Sequence, residues 1–76
     1  MREIEFNLDR EYVQLNQLLK LTGFADSGGA GKALVAAGGI VVDGKEELRK
    51  TCKIRAGQIV GIGDARIRVM AGSPAQ

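Results

Sequence analysis

The sequence predicts an α+β domain in which two packed helices lie against a small, mostly antiparallel sheet. Apolar and polar residues alternate in 3–8 and again in 66–70, as they do in half-buried strands. Within 10–37 the apolar residues recur at helical spacing in two stretches, which Gly23 separates. Tight-turn residues then divide the second half of the chain into short extended segments. Together these three observations favour two helices followed by a small sheet.

The first elements are a strand and a helix. Residues 3–8 form the strand, with its apolar side chains on one face. Asp9 is positioned to cap a helix over 10–21, and Gly23 is positioned to end it, because glycine enters the left-handed region at little cost. The apolar stripe of this helix consists of Leu15, Leu18 and Leu19.

A second helix start signal follows at Asp26 and Ser27, whose side chains can accept a backbone N–H of the next turn. We expect this helix to cover 28–37 and to end at the glycine pair 38–39. A short strand over 40–42 then reaches the dipeptide 43–44, an Asp-Gly pair that is typical of tight hairpin turns.

The rest of the chain is expected to be extended between turns. From Arg49 onward, Cys52 lies on the apolar side of the alternation, which predicts a small core residue without a reactive role. Strands over 58–62 and 66–70 are separated by turns at 56–57 and 63–65. We expect one domain over residues 1–71 and a flexible polar tail over 72–76.

Composition excludes most catalytic chemistry. The 76 residues include no histidine, and the single cysteine cannot form an internal disulfide or a structural zinc site. The glycine-rich run 27–32 fails as a phosphate-binding loop, because Asp26 and Ala33 stand where glycine and a hydroxyl residue are required. We therefore expect no enzyme activity, catalytic residue, metal, cofactor or small-molecule substrate. No stretch is apolar enough for a signal peptide or a membrane span, which favours a cytoplasmic protein without a membrane partner.

Charge is distributed unevenly along the chain. Residues 1–31 carry three basic and five acidic groups, a sum of −2, whereas 32–76 carry eight basic and four acidic groups, a sum of +4. The densest basic run is 45–55. It indicates either a polyanionic partner or a solvated charged face. The glycines at 28, 29 and 31 similarly allow two interpretations, close helix packing or close approach of a phosphate beside Lys32.

A motif without gaps runs from 27 to 44 and consists of Ser27, Lys32, Leu34-Val35, Gly38, Ile40-Val41-Val42 and Asp43-Gly44. This motif resembles the RNA-binding domain named after small-subunit ribosomal protein four, the S-four domain. The downstream run 53–60 is similar to the closing segment of that domain, so the resemblance covers about 12–62. The runs 18–23 and 49–54 are also similar to small bacterial proteins of the YbcJ-like family. Gly28, Gly39 and Asp43 depart from the arginine, histidine and asparagine that are common in S-four domains.

This resemblance implies an alpha-L motif of two helices and a non-catalytic RNA-binding function. A basic surface would contact the phosphate backbone of structured RNA, of the ribosomal or transfer RNA class, with a link to the ribosome or translation. With an aromatic content of only 4%, single-strand base stacking is not expected to dominate. We expect a monomer. The alternative is a protein-interaction adaptor that keeps the fold without binding RNA, since a net charge of +2 is modest. The candidate RNA-binding residues are Ser27, Lys32, Lys45, Arg49, Lys50, Lys53 and Arg55.

Overall fold

The structure, a computed structural model, describes residues 2–72. Strand pairing sets the architecture of this part of the chain. Met1 and residues 73–76 lie outside the described residues, so the predicted tail and the exact domain limits stay predictions. The elements are β1 (Arg2–Leu8), β2 (Val13–Gln14), α1 (Leu15–Leu21), α2 (Gly28–Ala36), β3 (Ile40–Val42), β4 (Lys45–Glu46), β5 (Lys53–Ile54), β6 (Ile59–Ile62) and β7 (Ala65–Ala71).

Two sheets form within the described residues. The larger has five strands in the order β1-β7-β6-β3-β4, and the smaller pairs β2 with β5. Only β1 and β7 run parallel; the other pairs are antiparallel. The parallel pair joins the first and the last strand of the described residues, so all the other elements together form the long crossover that a parallel connection needs. The predicted α+β class with a mostly antiparallel sheet is confirmed.

One face of the larger sheet and both helices enclose a single hydrophobic core. The predicted stripe on α1 is completely buried, as is Val35 of α2. The predicted alternation in the last strand is also confirmed, since Ile67 and Val69 are buried while their neighbour Arg68 is exposed. Phe6 and Phe24 are half-buried and pack against this core.

The two helices approach each other closely at Gly31. A Cβ at this position would overlap the backbone carbonyl oxygen of Asn16 on α1, so only glycine fits. Gly29, in contrast, is exposed and would place its Cβ no closer than 3.8 Å from Ser27 Oγ. Of the two interpretations of these glycines, close helix packing accounts for Gly31.

The start of α1 differs from the prediction. The helix begins at Leu15 rather than at residue 10, and Asp9 does not cap it. Val13 is instead buried in β2 and pairs with Ile54 of β5. The N-cap residue Gln14 makes no side-chain cap, and the first helical N–H groups are satisfied from outside the helix. A long-range strand pair has therefore overridden the local helix signal in 10–14.

The second helix and the turn after β3 follow the prediction closely. Ser27 caps α2, where its Oγ accepts a hydrogen bond from the Ala30 N–H at 3.1 Å. Asp43 and Gly44 both have positive φ, 53° and 85°, as the predicted tight turn requires. The sequence predicted this cap and this turn correctly because each depends on residues that are only a few positions apart.

The basic segment after Arg49 is less extended than predicted. A turn closes where the Cys52 N–H donates to the Arg49 carbonyl at 3.2 Å, and only Lys53–Ile54 forms a strand. The reason is that the carbonyls of Lys50 and Cys52 accept hydrogen bonds from α1 and cannot join a strand ladder. Cys52 itself is half-buried against the core, on the side that the alternation predicts.

Replacing Gly31 by alanine should destabilise the fold, because either helix α2 must shift or the Asn16 backbone must move. Overpacking of this kind costs about 1–3 kcal/mol of unfolding free energy, which urea denaturation would measure. Gly29→Ala is the matched control in the same helix turn, and we expect it to be as stable as wild type or up to about 1 kcal/mol more stable, because alanine favours the helix. Equal stability of the two variants would contradict the close packing at Gly31.

Candidate nucleic-acid interface

Basic side chains from two distant parts of the chain line one open groove. We call this concavity of about 780 Å³ the basic groove. Five of its seven lining residues are cationic, and within residues 2–72 no carboxylate lines it. The lining residues are Lys32, Arg49, Lys50, Thr51, Cys52, Lys53 and Arg55.

The groove owes its shape to the way the basic segment is attached to α1. The Leu15 N–H donates to the Cys52 carbonyl at 2.8 Å, and the Asn16 N–H donates to the Lys50 carbonyl at 3.1 Å. These bonds satisfy two N–H groups at the start of the helix that would otherwise lack partners. Strand alternation in β5 then buries Ile54 completely and turns Lys53 outward. Lys32 reaches the groove from the exposed side of α2.

Five of the seven sequence-predicted site residues therefore come together, and two lie elsewhere. Ser27 caps α2 and does not line the groove. Lys45 belongs to β4 at the edge of the larger sheet, whereas the cluster 49–55 surrounds the smaller sheet. Proximity along the chain suggested that Lys45 would join the cluster, but the loop after β4 separates the two.

Arg49 is held by a neighbouring carboxylate. Glu47 Oε2 accepts hydrogen bonds from Arg49 Nε at 2.9 Å and from the Arg49 N–H at 3.0 Å, and Oε1 accepts one from Nη2 at 3.2 Å. The side-chain bond from Arg49, followed by its backbone bond, lowers the pKa of Glu47 from 4.5 to about 2. The side-chain hydrogen bond to Glu47 in turn raises the pKa of Arg49. The carboxylate of Glu47 thus offsets much of the charge of Arg49, and the contact between them shapes the loop 47–49.

Arg55 and Lys53 share an aromatic neighbour that the sequence reasoning missed. Lys53 Nζ lies 4.9 Å and Arg55 Cζ 5.8 Å from the centroid of the Tyr12 ring. Arg55 Nη1 also contacts Glu11 Oε2 at 3.3 Å. The pairing of β2 with β5 brings these residues together across about forty positions of sequence. No local pattern could have revealed the contact.

Three lysines of the groove are available to bind a ligand. Within residues 2–72, the amino groups of Lys32, Lys50 and Lys53 make no hydrogen bond or ion pair, although Lys53 lies over Tyr12. All three residues are exposed. Their charges can therefore be used against phosphates without first breaking an ion pair.

Cys52 lines the groove without the properties of a nucleophile. Burial, followed by the charge of Glu47, raises the pKa of its thiol above the usual value of 9.0. The thiol is consequently protonated at neutral pH, the form in which cysteine is a poor nucleophile. Residues 2–72 contain no group of three or more histidine, cysteine or carboxylate side chains that could hold a metal ion. Neither helix in this range is long and apolar enough to cross a membrane.

Fold and site together define a small α+β module with one strongly cationic groove. The chain belongs to the S4 domain family, whose model matches residues 6–70. It is similar to YbcJ of Escherichia coli (strain K12) and to YbcJ of Shigella flexneri, with 45% identity over 60 residues in each case; the match covers 79% of this chain and 86% of each relative.

A solved structure shows the same fold. The solution structure of YbcJ from E. coli has a TM-score of 0.66 and 39% sequence identity to this chain, and the match covers 93% of this chain and 89% of that one. That structure is described as revealing an alfaL motif involved in RNA-binding. The two-helix motif expected from the sequence is thereby confirmed as a feature of the fold.

The contact between Glu47 and Arg49 predicts a specific pH dependence. Because the folded-state pKa of Glu47 is depressed, its stabilising contribution is fully present above pH 4.5 and is lost as the pH falls towards 2. Glu47→Gln should be less stable than wild type at neutral pH, and the difference should shrink over this acidic range. Urea denaturation at several pH values would measure the free energies of unfolding.

The matched control for this experiment is Glu46→Gln. The side chain of Glu46 is exposed and makes no hydrogen bond or ion pair within residues 2–72, so this variant should follow the wild-type pH profile. If the profiles of Glu47→Gln and wild type run parallel from neutral pH to pH 2, the Arg49 contact does not act as described.

Proposed function

We propose that the protein is a non-catalytic RNA-binding protein that binds the phosphate backbone of structured RNA in the basic groove. The observation that carries this proposal is the meeting of Lys32 from α2 with the cations of 49–55 in one open concavity. A cluster of cations from two elements favours a polyanion over a solvated charged face.

Membership of the S4 domain family supports RNA as the polyanion. The alfaL motif of the related E. coli protein is described as involved in RNA-binding, and this chain shares its fold. We extend this to ribosomal or transfer RNA, and to a link with the ribosome or translation in the cytoplasm, for a monomeric protein. Sequencing of RNA crosslinked to the protein in cells would identify the class, and light scattering would measure the molar mass.

Binding in this groove would be mainly electrostatic. Lysine and arginine side chains neutralise phosphates and release condensed counterions, which gives affinity with little reading of base sequence. The major groove of an A-form helix is too narrow for side chains to read, so shape and backbone contacts dominate there. Lys32, Lys50 and Lys53 would supply the phosphate contacts, while Arg49 and Arg55 hold the groove through Glu47 and Glu11.

Removing the free lysines of the groove should flatten the salt dependence of RNA binding. In the variant Lys50→Ala/Lys53→Ala, the slope of log affinity against log salt should fall by about two, roughly one per lost phosphate contact. Fluorescence anisotropy with a labelled RNA hairpin at several salt concentrations would measure both slopes.

The control variant, Lys20→Ala/Lys45→Ala, removes the same charge from two exposed residues outside the groove. Its slope should stay near that of wild type. If both variants flatten the slope equally, RNA is attracted by the charge of the whole protein, and binding in the basic groove is contradicted. A protein partner that persists after complete nuclease treatment, together with no RNA binding, would favour the adaptor function instead.

A further inference from the structure

A second concavity lies beside the basic groove. We call it the Tyr12 recess; its volume is about 470 Å³, within the roughly 300–1,000 Å³ of clefts that hold small ligands. It is formed by the segment before α1 and by one side of that helix. Its lining residues are Arg10, Tyr12, Val13, Gln14, Gln17 and Leu21.

The Tyr12 ring connects the two concavities. Lys53 and Arg55 line the basic groove and lie over this ring, while the ring itself lines the recess. A nucleic-acid backbone bound at Lys53 would therefore pass directly beside the recess. A nucleotide of that strand could enter it without moving away from the cations.

The lining of the recess offers both parts of a base-recognition site. The side-chain amides of Gln14 and Gln17 make no hydrogen bond within residues 2–72, and each offers donors and an acceptor that match the edge of a base. Tyr12 supplies an aromatic surface on which a base can stack. Leu21, 59% exposed, adds an apolar contact that a bound base would cover.

We propose that the Tyr12 recess holds one unpaired nucleobase of the RNA whose backbone lies in the basic groove. This inference rests on the proposed function and adds a specificity to it. A paired base cannot present its face or its pairing edge, whereas a bulged base can be turned out of the helix. The protein would then favour RNA helices that are interrupted by an unpaired nucleotide over continuous ones.

The test compares two hairpins that differ only in one bulged nucleotide, supplied as 2-aminopurine. Wild-type protein should bind the bulged hairpin at least about five-fold more tightly, the lower limit for stacking on an aromatic side chain. The 2-aminopurine fluorescence should fall on binding, because stacking quenches it. Anisotropy and fluorescence titrations measure the two quantities on the full chain.

Variants of the recess should abolish this preference. Gln17→Ala/Leu21→Ser changes two residues of α1 that do not line the basic groove, so it should also spare the binding of the continuous hairpin. Tyr12→Leu removes the aromatic ring while keeping an apolar side chain; because this ring also contacts Lys53 and Arg55, its readout is the ratio of the two affinities and not the affinity for the continuous hairpin. The matched control is Leu48→Ser. Leu48 is 57% exposed and lies outside the recess, so its variant should keep the preference. Thermal melting followed by circular dichroism verifies that each variant is folded.

The possible failures are distinguishable. Equal affinity of wild type for both hairpins, with the steep salt dependence retained, overturns the proposal for the recess but agrees with RNA binding in the basic groove. A preference that survives both recess variants also overturns it, since the bulge is then recognised elsewhere. Absence of binding to either hairpin overturns the proposed function together with the recess.

Discussion

The attachment of the basic segment to the start of α1 is the interaction on which the rest of the site depends. Two backbone hydrogen bonds, from Leu15 to Cys52 and from Asn16 to Lys50, replace the side-chain cap that this helix lacks. The pairing of β2 with β5 continues the same contact. One junction therefore determines where the helix begins, how the loop 49–52 turns, and where Tyr12 meets Lys53. A loss of this junction would disperse the groove.

Arginines and lysines of the groove have different roles. Arg49 is paired with Glu47 of the same loop, and Arg55 is paired with Glu11 of the segment before β2. A guanidinium suits this role because its several donors can bind one partner in a defined geometry. The free lysines carry compact charges on flexible side chains, which can adapt to phosphates of varied position. The modest net charge of +2 is thus compatible with a strong local field. Two acidic residues, Glu11 and Glu47, hold the arginines of the groove, and no carboxylate lines it among residues 2–72.

Local signals predicted local structure. The Ser27 cap, the Asp43-Gly44 turn and the alternation of β7 each depend on a few adjacent residues, and each is confirmed. The start of α1 was predicted wrongly, because Val13 fits the apolar stripe of a helix as well as a strand. Its pairing with the distant Ile54 determines that it lies in a strand. The recess and the role of Tyr12 were missed for the same reason. Lys45 shows the converse error, since closeness in sequence did not bring it into the groove.

The most direct test of the account is a titration of isotope-labelled protein with an RNA hairpin, followed by backbone amide chemical shifts in NMR spectra. The account predicts that the largest shifts fall on Lys32 and on residues 49–55, with smaller changes on the outer face of the larger sheet, where Ile59 and Met70 are exposed. Shifts concentrated on that outer face, with the segment 49–55 unchanged, would contradict it.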